Sequence, residues 1–384
     1  GYTGSMFGSP ADMVIAESYL KGIRDFDVES AYQFMKKTAL GPVPKDSPFS
    51  GRVGIEHYLN HEYCPSDLMK KSVASTIEYC YADRSIALLA AALGHIDEAT
   101  IFSQRARYYR NLFNPETQFF QPRNSLGKFT EFSPELLTYL DFSGTMTHAY
   151  VEGSAWQWRW GVPSDADGVV KLFKSREYFV DELDRFFKMA PAGVGVNPNA
   201  YYWHGNQPDI FAAFLFNTAG RPDLTQKWVR WILETKYGDR DNGIDGNDDG
   251  GTLSAWYVFG SLGLFPVAGT DRYELCCPLW EKADLKIGDR TLTVLVDRAD
   301  AFGTELTAQP GGVVHQGKTR RTQASRLHRG RQLQQPPQHG GHRRALGTHP
   351  HLDRNYTVFG MVIEGMDVAK KIERGDKILT ATIQ

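Results

Sequence analysis

Apolar residues recur at helical spacing along most of the chain up to residue 262. The broadest stripe, between Ser72 and Leu93, predicts one long helix that Gly94 ends. The other predicted helices are shorter, and the loops between them contain Gly and Pro. They cover residues 9–21, 27–38, 96–113, 147–159, 165–175, 177–189, 209–219, 223–236 and 252–262. Paired helices without a clean fixed-period repeat favour an α/α toroid over a helical solenoid.

An alternation of apolar and polar residues that is typical of strands follows the last predicted helix. Strands are predicted at residues 273–275, 283–287 and 291–296, and Gly288-Asp289 has the composition of a hairpin turn. We therefore assign residues 1–268 to a mainly α domain and residues 269–300 to a partial β structure.

The composition changes again over residues 301–348. Between Gly311 and His351 there are eight Lys or Arg and no Asp or Glu, whereas the rest of the chain carries 35 basic and 45 acidic residues. Because this stretch also lacks aromatic residues, we predict a disordered basic linker. A nucleic-acid-binding arm is one interpretation of a basic run. Out-of-frame translation or a chimeric join is favoured, because the strand region ends in mid-pattern. A strand–helix–strand pattern then follows over residues 349–384.

Charge and cysteine usage exclude several classes of protein. The net charge of −2 gives no reason to expect a nucleic-acid partner, and hydrophobic residues, at 41%, suffice for a sizeable core. No run of about 20 apolar residues is present, so no membrane span is expected. The four cysteines match neither a zinc ribbon nor a CxxC motif and are expected to be free thiols. They are Cys64, Cys80, Cys276 and Cys277.

The densest group of candidate functional residues lies in the loop from Gly238 to Thr252. Five aspartates fall within it, among them Asp248 and Asp249, and an apolar helix follows directly. Unpaired N–H groups at a helix start keep a carboxylate ionised. An ionised carboxylate in a tight loop suits a general base or a hard metal ion. The alternative is a solvated acidic loop that caps its helix.

A second candidate is Glu152, in the run from Tyr150 to Trp158. It lies near Trp156 and Trp158, and apolar neighbours raise the pKa of a carboxyl group by desolvation, which suits a general acid. The alternative is a glutamate that caps its helix beside core aromatics.

A third candidate is the run from Tyr201 to Pro208. The amide oxygens of Asn206 and Gln207 can bind calcium, although asparagine near a helix start is also an ordinary cap. His204 has no partners at zinc-ligand spacing. Aromatic side chains in these loops are expected to be exposed and to stack on sugar rings, although most aromatics in any protein belong to the core. They are Trp160, Tyr202 and Trp203, and we assign Trp156, Trp158, Trp203 and His204 to substrate binding.

A general acid on one loop and an ionised aspartate on another are the minimum that glycosidic hydrolysis requires. If the two carboxyl groups are roughly 6.5–9.5 Å apart, a water fits between them and the anomeric configuration inverts.

Five runs in this order resemble glycoside hydrolase family ninety-two, the calcium-dependent exo-α-mannosidases. They are residues 16–23, 150–158, 204–208, 246–256 and 262–267. The resemblance covers residues 1 to about 298. It implies an incomplete (α/α)₆ toroid followed by a partial β-sandwich, and hydrolysis of terminal α-mannosidic bonds of glycans, α-1,2 bonds being expected, with inversion.

The resemblance also implies roles for individual residues. Glu152 falls at the position of the general acid, Asp248 and Asp249 fall on the base and metal loop, and Asn206 and Gln207 lie around the calcium. The family usually has Glu where this chain has Gln207, which implies weaker attraction for calcium unless Asp209 compensates.

Two further features bear on activity. The family's opening β-sandwich and first toroid helices have no counterpart in this sequence, so a carbohydrate-binding fragment without full chemistry is an alternative. Residues 349–384 resemble the C-terminal end of a cyclophilin-type peptidyl-prolyl isomerase, which makes an isomerase fusion a third hypothesis. The cyclophilin barrel cannot close from this segment, so isomerase activity is not expected. The mannosidase resemblance implies a periplasmic or secreted protein of a bacterium. No signal peptide lies within the sequence, and the oligomeric state is left open.

Overall fold

The computed structural model describes residues 8–47, 51–137, 149–287 and 290–295, together with the backbone of residues 304–309 and 313–318. Helices dominate this part of the chain. They are α1 (Pro10–Leu20), α2 (Val28–Leu40), α3 (Ile55–His61), α4 (Ser72–Leu93), α5 (Ile96–Arg105), α6 (Ala155–Trp158), α7 (Ala166–Leu172), α8 (Arg176–Lys188), α9 (Leu215–Thr218), α10 (Pro222–Thr235) and α11 (Thr252–Ser261). Short 3₁₀ turns cover Tyr108–Leu112, Pro163–Asp165 and Ala212–Phe214.

The helix ends follow local sequence signals. The Asp27 side chain accepts a hydrogen bond from the Ser30 N–H and so caps α2, as its position predicts. Helix α4 ends at Gly94, whose φ of 87° lies in the left-handed region that glycine adopts readily. Ser9 precedes α1 but makes no side-chain capping bond.

Helix α4 is the centre of the helical packing. It contacts α1, α2 and α5, and its buried side chains contribute to two apolar clusters. The larger cluster runs from Ile55 to Cys276. The smaller one joins α1, α2, α4 and α5. Burial on both sides explains why its apolar stripe is so broad.

A buried ion network ties α1, α4 and α5 together. Asp83 of α4 accepts from Arg52 at 2.6 Å and from Arg105 at 2.9 and 3.1 Å. Arg52 also donates to Asp12 of α1 at 2.9 Å, and Tyr58 donates to Asp83 at 2.9 Å. All five residues are buried, so each charge depends on its partners for the hydrogen bonds that water would supply.

The strands form three small sheets. They are β1 (Phe113–Asn114), β2 (Phe119–Phe120), β3 (Leu264–Pro266), β4 (Tyr273–Leu275), β5 (Lys282–Ile287), β6 (Arg290–Leu295), β7 (Thr304–Gln309) and β8 (Val313–Lys318). The pairs β1–β2 and β3–β4 are antiparallel. The third sheet has the order β5-β6-β8-β7, in which β6 and β8 run parallel.

The β3–β4 region also closes onto the first helix. Glu17 of α1 accepts a hydrogen bond from the Gly269 N–H at 3.0 Å, across 252 positions of sequence. Tyr81 of α4 donates to the Ala268 carbonyl at 2.9 Å. The beginning and end of the helical domain are therefore in direct contact.

The structure corrects several predicted elements. Helix α3 lies in a stretch for which no helix is predicted, and the helix predicted over 96–113 divides into α5 and a 3₁₀ turn. Among the described residues of 147–159, only Ala155–Trp158 is helical. Strands β7 and β8 lie inside the predicted linker 301–348, so that prediction is wrong for these two stretches. The composition argument covers residues 311–351, so it hides the Val-rich start of β8 and does not bear on β7, which lies before that stretch.

The main expectations for the fold class are confirmed. The described residues are mainly helical with small sheets, and the helical body is the toroid type, as the comparisons below show. No helix in the described part of the chain is long and apolar enough to cross a membrane. The four cysteines are free, and three of them are buried. The predicted turn Gly288-Asp289 and the tail 349–384 lie outside the described residues.

Candidate active site

Glu152 occupies the loop before α6, hereafter the acid loop (residues 150–154). Its side chain is exposed, and its φ of 46° is in the left-handed region. Few non-glycine residues adopt this conformation, which costs about 1–2 kcal/mol. The apolar surroundings expected for Glu152 are therefore absent, because the tryptophans near it in sequence are buried while it is not.

A capping box fixes the acid loop to α6. The Ser154 side chain accepts from the Gln157 N–H, and the Gln157 side chain accepts from the Ser154 N–H. The same two side chains reach the neighbouring chain segment, since Ser154 donates to the Ala200 carbonyl at 2.6 Å and Gln157 to the Tyr201 carbonyl at 2.9 Å. Sequence reasoning missed Gln157, although the Ser-x-x-Gln spacing was available as a signal.

The second loop (residues 201–208, the amide loop) lies directly against the acid loop. The Asn206 amide nitrogen donates to Gln157 Oε1 at 3.1 Å. A Cβ atom at Gly153 would lie 2.5 Å from Gln157 Oε1 and 2.8 Å from Asn206 Nδ2, which is closer than real Cβ atoms approach. Glycine at this position is therefore what lets the two loops meet.

The third loop (residues 245–254, the aspartate loop) joins the amide loop through Gln207 and Asp249. Both residues are exposed, and Gln207 Nε2 donates to Asp249 Oδ2. Asp249 has a φ of 49°, so it shares the left-handed conformation of Glu152. Five described non-glycine residues have a positive φ. Two of them, Glu152 and Asp249, are among the three predicted catalytic residues.

Asp248 is held differently from its neighbour. It is partly buried, and Ser254 binds both of its oxygens, through its N–H at 2.8 Å and its hydroxyl at 2.9 Å. Hydrogen bonds to both oxygens fix the plane of the carboxylate. Ser254 was not predicted, and its place in the first turn of α11 is the only signal that could have found it.

His204 belongs to a buried relay rather than to the surface. Tyr237 donates its hydroxyl proton to the Leu253 carbonyl at 2.8 Å, so at the 2.6 Å contact His204 Nε2–H must be the donor. His204 Nδ1 then accepts from Tyr202 at 2.5 Å. Burial, reinforced by the charge of Lys236, lowers the pKa of His204 to about 3. The imidazole is thus neutral, and it links the amide loop to the start of α11.

Two buried carboxylates reinforce the amide and aspartate loops. Asp245 forms an ion pair with Lys236 at 3.2 Å, and both side chains are fully buried. Burial raises the pKa of Asp245 and lowers that of Lys236. Asp209 accepts from the Trp203 N–H at 2.9 Å, and burial raises its pKa well above the ordinary value.

The predicted substrate-binding residues are in the interior. His204 is 0% exposed with both ring nitrogens engaged, which argues against the direct sugar contact predicted for it. Trp156, Trp158 and Trp203 are 5%, 3% and 7% exposed, which leaves at most an edge for a ligand. Trp160 and Tyr202, expected to be exposed, are fully buried. They belong to the aromatic core, as the alternative interpretation held.

The oxygen donors near Asp249 match a calcium ion in type. The Asp249 carboxylate and the Gln207 amide are exposed and in contact. Asn206 uses its nitrogen on Gln157, which leaves Oδ1 for another partner. Calcium takes roughly six to eight oxygens, so waters or sugar hydroxyls would complete such a site. Asp209 is no substitute for a carboxylate at Gln207, because it is fully buried. In the described residues, no group of three His, Cys, Asp or Glu could hold a metal.

A family model described as the glycosyl hydrolase family 92 catalytic domain matches residues 1–318. The chain belongs to glycosyl hydrolase family 92. A cyclophilin-type peptidyl-prolyl isomerase model matches residues 345–383, which lie outside the described residues. The resemblance drawn from five sequence runs is therefore confirmed, and the strands β7 and β8 fall inside the family 92 match.

Similar proteins include mannosidases of the same family. A family GH92 α-mannosidase of Bacteroides thetaiotaomicron in complex with mannoimidazole is 31% identical, with a TM-score of 0.67 over 75% of this chain and 38% of its own. A family GH92 inverting mannosidase of the same bacterium is 28% identical, with a TM-score of 0.70 over 83% of this chain and 46% of its own. An uncharacterized secreted glycosidase of Arthroderma benhamiae is 29% identical over 77% of this chain and 40% of that protein. The chain thus spans about two fifths of the length of these relatives.

Proposed function

We propose that this chain carries the later part of a calcium-dependent exo-α-mannosidase that removes terminal α-mannose, from α-1,2 bonds in the first instance, with inversion. The observation that carries the proposal is the contact among the acid, amide and aspartate loops. Gln157 binds Asn206, and Gln207 binds Asp249, so two consecutive residues of the amide loop connect the segment of Glu152 to the loop of Asp249.

Each carboxylate has a role that its environment supports. Glu152 is exposed and would donate a proton to the leaving oxygen. Asp248, oriented by Ser254, and the exposed Asp249 are the candidates that accept a proton from the attacking water. The left-handed backbone at Glu152 and Asp249 is the kind of strain that folds maintain at functional positions.

Calcium would be held by Asp249, Gln207 and Asn206, and when bound it would supply a positive charge that anchors sugar hydroxyls beside the anomeric carbon. The solved relative in complex with mannoimidazole supports mannose as the sugar. The curated relative is described as secreted, and on that basis we propose an extracytoplasmic location. The solved relatives from Bacteroides thetaiotaomicron support the narrower proposal of a bacterial protein, periplasmic or secreted.

The test is hydrolysis of two mannosides by Glu152→Gln. We expect a loss of about 10²–10⁴-fold on a mannobiose, because its sugar leaving group needs a proton. The loss should be smaller on an aryl mannoside whose leaving group departs unprotonated. Glu131→Gln removes another exposed carboxylate and serves as the control. Unchanged turnover of mannobiose by Glu152→Gln would contradict the assignment of Glu152 as the general acid. Activity that survives EDTA would contradict the proposed calcium dependence.

A carbohydrate-binding fragment without catalysis is the second candidate. The short coverage of the relatives and the neutral Gln207 favour it. Calorimetric binding of mannobiose by a chain that shows no hydrolysis with added calcium would establish this alternative. We do not propose isomerase activity for residues 349–384, since a cyclophilin barrel cannot close from that segment.

A further inference from the structure

A cavity lies away from the three loops of the candidate active site. Its volume is about 380 Å³, within the range of small-molecule pockets, and none of the residues that line it belongs to those loops. Three arginines from different elements line it: Arg84 of α4, Arg107 just after α5, and Arg272 just before β4. The proposed mannosidase chemistry makes no use of this cavity.

The three guanidinium groups keep hydrogen-bond donors available, although the charge of Asp165 acts on Arg84. Within the described part of the chain, no carboxylate forms a salt bridge with any of them, and the one hydrogen bond from the group is a long contact of 3.5 Å from Arg272 to the Ser164 carbonyl. Burial and the charge of Arg272 lower the pKa of Arg84. Arg107 and Arg272 are exposed and solvated, so they need no anion, but an anion that enters the cavity would gain charge-assisted hydrogen bonds from the guanidinium groups.

The carboxylates that line the cavity have other partners or face solvent. Asp165 accepts from Tyr109 and from Arg110, each at 2.7 Å. Glu274 accepts from Asn217 at 3.0 Å. Asp167 is exposed. Hydrogen-bond donors for a ligand therefore come from the arginines, while Asp167 is placed to accept from a ligand hydroxyl.

We propose that this cavity binds a tetrahedral oxyanion, phosphate or sulfate, either free or as an ester of a small sugar. The guanidinium fork matches two oxygens of such an anion at once, and three forks around one cavity suit its remaining oxygens. The volume leaves room beyond the anion for a sugar ring. The proposal concerns binding alone and stands whether or not the mannosidase assignment holds.

The experiment is titration calorimetry on the full 384-residue chain. The probes are inorganic phosphate, inorganic sulfate, glucose 6-phosphate and glucose, each at constant ionic strength maintained with chloride. We expect saturable 1:1 binding of the oxyanions and none of glucose. Arg84→Gln should weaken the binding about tenfold or more, the effect of losing a charged hydrogen-bond donor. Tighter binding of glucose 6-phosphate than of phosphate would identify the ester as the natural form, and equal affinities would identify the free ion.

Arg230→Gln is the matched control, because Arg230 lies on α10 and does not line the cavity. It should bind the oxyanions as the wild-type chain does. Thermal unfolding adds a second readout: without ligand, Arg84→Gln should unfold at the same or a higher temperature, because a repelled charge is removed. Absence of binding at millimolar phosphate and sulfate, or equal affinities for the wild-type chain and Arg84→Gln, would overturn the proposal.

Discussion

Glu152 and Asp249 share a left-handed backbone, and both present exposed carboxylates from loops that contact the amide loop. A side chain placed in this way is held by its neighbours rather than by its own preference. Ser154 and Gln157 hold the acid loop, while Gln207 and Thr252 bind Asp249 directly. At the residue scale, the candidate site is thus a set of strained positions fixed by neutral hydrogen-bonding side chains.

Gln207 is the residue whose chemistry is most readily tested. Replacing Gln207 with Glu would place a second carboxylate beside Asp249 and remove the N–H that now satisfies it. Because calcium attraction grows with the number of carboxylates, we expect Gln207→Glu to raise calcium affinity about tenfold or more, measured by calorimetry.

Gln33→Glu is the control for this substitution. Gln33 is exposed and donates to Glu29 on α2, so the same exchange creates the same kind of carboxylate pair away from the site. If Gln33→Glu gains calcium affinity equally, or if Gln207→Glu gains none, the assignment of Gln207 to the calcium site is wrong.

His204 makes stability depend on pH in a definite direction. Its pKa in the folded chain is about 3, against about 6.5 when unfolded. Below about pH 6.5 His204 is protonated in the unfolded chain but not in the folded chain. The free energy of unfolding therefore falls by about 1.4 kcal/mol per pH unit down to about pH 3. His204→Gln should lack this slope. We would measure urea unfolding at neutral pH and at about pH 5.

The carboxylates whose pKa burial raises act in the opposite direction. On acidification the folded chain gains stability from the carboxylates of this kind in the described residues, which are Asp12, Glu78, Asp209 and Asp245. The informative quantity is therefore the difference between the wild-type chain and His204→Gln, with the partly exposed His57→Gln as control. An identical pH dependence in the wild-type chain and His204→Gln would show that His204 is not the buried neutral group described here.

At the scale of elements, the network around Asp83 joins α1, α4 and α5. Asp83→Asn would leave Arg105 without a carboxylate, while Arg52 keeps only Asp12. Removal of one partner from a buried ion pair costs about 3–5 kcal/mol. Asp223→Asn breaks an exposed pair with Arg221 and should cost less than about 1 kcal/mol. Urea unfolding of both variants compares them, and similar losses would contradict the structural role given to the network.

The elements that the sequence predicts well are those whose apolar periodicity extends over many residues and whose end has a clear sequence signal. Helix α4 has both, and its predicted bounds agree with the structure. Helix α3 was missed because seven residues, four of them polar, carry too little periodicity between Gly- and Pro-rich flanks. The three loops of the site were predicted from their polar residues. Ser254 and Tyr237 were not, because their hydrogen bonds come from folding partners rather than from spacing.

Burial explains why the aromatic residues were misjudged. Trp160 and Tyr202 lie outside the α-helices, yet each packs among other rings, Trp160 against Phe173 and Tyr202 against Phe187. Local sequence does not report which side of a loop faces the core of a toroid. Residues beside a catalytic position in sequence are therefore weak candidates for sugar contact unless the fold exposes them.

At the scale of the whole molecule, the chain divides near Lys318. The family 92 match and strand β8 both end there, and a different family matches residues 345–383. We expect removal of residues 319–384 to leave the thermal unfolding midpoint of the helical domain nearly unchanged. Removal of residues 296–384 is the comparison, because it also takes away β7 and β8 and leaves β6 an unpaired edge, which favours aggregation. A large drop in the midpoint on the shorter deletion would show that the tail is integrated with the mannosidase-like domain, and the division at Lys318 would then be wrong.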